Sequence, residues 1–173
     1  MDTEYRSGPG AATAPAIGIN DTSFPVTETY AFFVTRINAA GITQWLRYAH
    51  DITFQKPRVQ ADATGHAYLL GSYMEPLTWG SIPFTDPVWS TSFFLARLDS
   101  LGTFEWGVQP PNAPGSGQFT LARGNCLGVD AAGNAHVLGT LGGTLDWGNG
   151  LTTGSGDITN NTVVLMRFDH TGA

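Results

Sequence analysis

LGVDAAGNAHVLG, residues 127–139, is the stretch whose reading decides the fold. A near-copy, VQADATGHAYLLG, occupies residues 59–71, so the matching glycines Gly71 and Gly139 stand 68 positions apart. Each copy reads as strand, tight turn, strand. Asp62 and Gly65 close one turn, and Asp130 and Gly133 close the other. An Asp at the first turn position accepts hydrogen bonds from the backbone ahead of it. A Gly at the fourth supplies the positive φ that short hairpins need.

A second phrase surrounds these hairpins and occurs three times. It reads FFVTRINAAG from Phe32, FFLARLDSLG from Phe93 and VVLMRFDHTG from Val163. Its turns run from Asn38 to Gly41, from Asp99 to Gly102 and from Asp169 to Gly172. Trp45 and Trp106 each follow the turn glycine by four residues, whereas the third copy reaches Ala173 first. The strands before these turns are apolar on both faces: Phe93 and Leu95 on one side, Phe94, Ala96 and Leu98 on the other. A half-exposed sheet would alternate apolar with polar. Both faces here must be covered, and neighbouring sheets of the same kind achieve that without helices.

The repeats predict a unit of four strands, two from each phrase. The expected organisation is a flexible leader over 1–28, a partial unit over 29–57 and a full unit over 58–109. A loop over 110–125 and a shortened unit over 126–173 follow. Such units stacked in series describe an all-β array of four-stranded antiparallel blades, β-propeller-like, with about two to three blades and an incomplete ring.

Composition agrees and excludes several functions. Of the 173 residues, 42 % are hydrophobic and only 13 % charged, and there are 22 glycines, as suits short strands and tight turns. The net charge is −6 and Lys56 is the only lysine, so no basic stripe offers itself to nucleic acid. No apolar run approaches the ~18 residues of a membrane span. The single cysteine, Cys126, excludes an intrachain disulfide and a cysteine-built zinc site. The opening MDTEYRSGPG has no apolar segment and does not read as a signal peptide.

The order VDAAGNAHVLGT, LDWG, VVLMRFDHTG resembles the bacterial β-propeller repeat often abbreviated SBBP, over residues 29–173. The resemblance implies a secreted or cell-surface bacterial protein with a propeller used as a binding or scaffold module. It implies no catalytic residues and no cofactor.

The remaining constellations are plain. A calcium loop needs several converging oxygen ligands, and Asp62 and Asp130 are followed by Ala and Thr where further carboxylates would stand, so no metal is expected. His50, His66, His136 and His170 show no ligand spacing, and His136 takes the place of Tyr68. There is no G-x-S-x-G and no P-loop. Arg97 with Asp99, and Arg167 with Asp169, read as surface ion pairs. Trp79 and Trp147 recur at one unit position and read as packing between blades. Trp89, Phe84 and Tyr73 are the aromatic residues offered for ligand binding, Trp89 first because its loop has no counterpart.

The expected function is therefore a non-enzymatic extracellular or cell-surface scaffold or adhesion module. Its partner would be a surface protein or glycan, or further blades through self-association. The alternative is a carbohydrate-binding propeller, or the propeller part of a polysaccharide-acting enzyme.

Overall fold

The structure is a computed structural model describing residues 5–7, 16–19, 22–25, 30–50, 57–73, 76–85, 92–109, 117–122, 126–146, 151–154, 157 and 159–173. Among these residues it is all-β, with antiparallel sheets and no helix.

The strands are β1 (Tyr5–Ser7), β2 (Ala16–Ile19), β3 (Thr22–Pro25), β4 (Tyr30–Ile37), β5 (Thr43–His50), β6 (Arg58–Ala61) and β7 (Ala67–Tyr73). Two short strands follow, β8 (Leu77–Trp79) and β9 (Ile82–Phe84), then β10 (Ser92–Leu98) and β11 (Phe104–Val108). The last six are β12 (Gln118–Leu121), β13 (Leu127–Val129), β14 (Ala135–Gly142), β15 (Thr144–Asp146), β16 (Thr152–Gly154) and β17 (Asn161–Phe168).

Three larger sheets hold the molecule together. The middle one has the order β11-β10-β7-β6, the four-strand unit that the two phrases predict. The first has the order β1-β4-β5, and in the third β14 pairs with β12, β13 and β17. The middle sheet is covered on both faces, as its doubly apolar strands require. Ala67, Leu69, Phe94, Ala96 and Leu98 pack with Val34 and Trp45 of the first sheet and with Trp79 and Phe84 of the β8–β9 hairpin. Tyr68, Leu70, Phe93 and Leu95 pack with Leu127, Ala135, Val137, Leu141 and Val164 of the third. Burying a Leu or Phe fully contributes ~1.5–3 kcal/mol, so these two interfaces carry most of the stability. Among the described residues the sheets do not close on one another.

The repeated glycine of the opening phrase has a packing cause. A Cβ on Gly71 would lie 2.8 Å from the Phe94 ring, and one on Gly139 would overlap the Phe119 ring. In both units an aromatic side chain lies directly on the backbone there, so only glycine fits.

Three expectations are corrected. Residues 1–28 contain β1, β2 and β3, and β1 pairs with β4 in the register Tyr5↔Phe32, so this part is not simply a leader. Residues 110–125 contain β12, which extends the ladder on β14 through Leu121↔Gly139. That stretch looked like loop because its Pro and Gly residues masked four strand residues, QFTL. Phe84, offered for ligand binding, is instead a core residue. It lies in β9 and is 1 % exposed, because β9 folds over the first hydrophobic cluster.

Candidate functional site

Five turns share one construction. The Asn38 side-chain oxygen accepts the main-chain N–H groups of Ala40 and Ile42 at 3.0 and 2.9 Å. Asp62 accepts those of Thr64 and His66, Asp99 those of Leu101 and Thr103, Asp130 those of Ala132 and Asn134, and Asp169 those of Thr171 and Ala173. Gly41, Gly65, Gly102, Gly133 and Gly172 all have φ between 77° and 88°. The carboxylates are thereby occupied within their own turns.

This occupation shows in their acidity. Hydrogen bonds from the Asn134 side chain and backbone hold the Asp130 carboxyl well below the usual range. Bonds from Thr171 hold Asp169 at about 2. At Asp62 burial acts in the opposite direction, but hydrogen bonds from Thr64 and His66, with the nearby His66 ring, outweigh it and the pKa is lowered.

The turns are gripped by the preceding sheet. Arg36 and Trp45 stand opposite each other across β4 and β5. Both donate to the Ser100 carbonyl in the middle sheet's turn, at 2.7 and 3.0 Å. Arg97 and Trp106, opposite each other across β10 and β11, donate likewise to the His170 carbonyl of the third sheet, at 3.2 and 3.0 Å. Tyr68 adds a buried bond to the Gly133 carbonyl at 2.7 Å. The indoles also lie on the turn glycines: a Cβ on Gly102 would stand 2.6 Å from the Trp45 ring.

One polar cluster sits beside the second grip. The Arg97 guanidinium pairs with Glu105 at 2.8 Å and lies over the Tyr68 ring at 5.6 Å. Burial raises the Tyr68 pKa, with Arg97 opposing. His66 Nδ1 faces Asp62 at 3.1 Å, and its Nε2 lies 3.9 Å from Glu105. Thr64 Oγ1 is also 2.7 Å from that same Nδ1. A nucleophilic triad needs the hydroxyl on one ring nitrogen and the carboxylate on the other. Here Asp62 meets the same nitrogen as Thr64 and itself accepts the Thr64 hydroxyl at 2.7 Å, while Glu105, 3.9 Å from Nε2, is beyond hydrogen-bond reach, so Thr64 is not activated. Asp130, Asn134 and His136 form the equivalent cluster in the third sheet, with His136 Nε2 at 3.3 Å from Asp130. Among the described residues no group of three His, Cys, Asp or Glu is disposed to hold a metal.

No family model and no curated protein matches this chain. Its function has to be read from its own side chains.

The offered aromatic residues are not brought together on a surface. Tyr73 is fully buried, with its hydroxyl 3.0 Å from Gln109 Oε1, and Phe84 packs beside it at 6.1 Å between ring centroids. Neither ring has a face open to a ligand. Trp89 lies outside the described residues, as does Trp147; Trp79 is buried in the first cluster. The ion pair expected between Arg97 and Asp99 is replaced. Asp99 serves its own turn, while Arg97 reaches Glu105 and the next sheet. The grip itself was missed in the sequence. Its signal was the repeated Arg-to-Trp interval, nine positions from Arg36 to Trp45 and again from Arg97 to Trp106.

Proposed function

We propose that the chain is a non-enzymatic stacking module, a β-propeller-like array of blades that serves as a scaffold or adhesion-type binding module of a bacterial extracellular or cell-surface protein. One observation supports it above all. The same Arg–Trp pair grips the same turn carbonyl at two successive sheet interfaces, at Ser100 and at His170. A connection that repeats unit after unit is what an array needs, and its polar groups are spent on holding sheets together. The cellular setting rests on the repeat resemblance. The partner is a surface protein or glycan.

The alternative, a carbohydrate-binding propeller or the propeller part of a polysaccharide-acting enzyme, draws no support from Tyr73 and Phe84, which are core residues. The two readings separate in one assay. The protein is incubated with a panel of bacterial and plant polysaccharides and with intact bacterial cells. Retention on cells, with no release of reducing ends, is expected. Release of reducing ends that disappears on replacing a single carboxylate would overturn the proposal.

A further inference from the structure

We draw no further inference here: the strongest candidate, the polar cluster of Asp62, Thr64, His66, Arg97 and Glu105 at the turn end of the middle sheet, belongs to the site already described, its carboxylates occupied by the turn and by Arg97.

Discussion

Trp106 donates its indole N–H to the main-chain carbonyl of His170, 3.0 Å away and 64 residues further along the chain. Trp45 does the same to Ser100, 55 residues on. The two bonds make each turn part of the interface before it. Turn geometry and sheet stacking are therefore one structural problem here, and substitutions can separate the two.

Gly41 and Gly102 both need positive φ, at 79° and 77°, but their surroundings differ. A Cβ at Gly41 meets nothing within 4 Å, whereas at Gly102 it meets the Trp45 ring at 2.6 Å. Gly41→Ala should cost only the backbone strain, ~1 kcal/mol. Gly102→Ala should cost ~1–3 kcal/mol more, since a buried indole must shift. Gly128→Ala, with open space around it and no positive φ, is the neutral control. Urea midpoints for the three variants check the ranking. Equal losses at Gly41 and Gly102 would mean that the indole does not rest on the turn.

The four-strand unit, its turns and its doubly apolar strands were legible because they depend on local chemistry that the chain repeats. Asp62 and Asp130, or Phe94 and Leu95, announce their roles within a few residues. The grips were harder to see because Arg36 and Ser100 meet across two sheets. The burial of Tyr73 and Phe84 was hidden for a related reason. Phe84 sits in a three-residue strand, flanked by Pro83 and Thr85, whose hairpin turns inward only because the first cluster has room for it.

Tyr68 and Trp106 grip neighbouring turns with unequal burial, so their deletions should differ. Tyr68→Phe removes a buried donor and leaves the Gly133 carbonyl unsatisfied, at a cost of ~1–3 kcal/mol. Trp106→Phe removes a solvent-exposed bond, where water replaces the donor, so the loss from that bond stays below ~1 kcal/mol. Thermal melts of the two variants give the comparison. The reverse order would show that the Tyr68 bond is weaker than its geometry implies.

Acid should loosen the turns. Asp62, Asp99, Asp130 and Asp169 all have folded pKa values below the ordinary 3.8, chiefly through turn hydrogen bonds. A lowered pKa stabilises the folded state above the unfolded pKa, and that stabilisation is lost as pH falls through the folded one. The urea midpoint should therefore hold from pH 7 to about 4 and fall towards about 2, where Asp169 titrates. Asn38 already builds the same turn without a carboxylate. Asp130→Asn should accordingly keep the turn and flatten the acid limb. An unchanged limb in that variant would remove Asp130 from the titrating set.

Cys126 is 4 % exposed in the second cluster, and burial raises its thiol pKa. Both effects suppress the thiolate, which is the reactive form. A thiol reagent at pH 8 should label the native protein only as fast as it opens, and immediately in urea. Rapid labelling in native buffer would show that the interface between the middle and third sheets opens readily.

The outer face of the third sheet should drive self-association. Leu138, Val163 and Leu165 lie on it at 36 %, 71 % and 66 % exposure. The matching positions of the middle sheet are Leu70, Phe93 and Leu95, all buried at 2 % exposure or less because the third sheet covers them. Large apolar patches on an exposed sheet face are association sites. Light scattering over a concentration series should show mass rising above the 18.4 kDa of one chain. Val163→Thr with Leu165→Lys should restore the monomer without lowering the melting temperature, since both side chains are exposed. Leu95→Lys, at the covered counterpart, should instead unfold the chain. A parent protein that stays monomeric at every concentration would mean that this face is not sticky enough to pair.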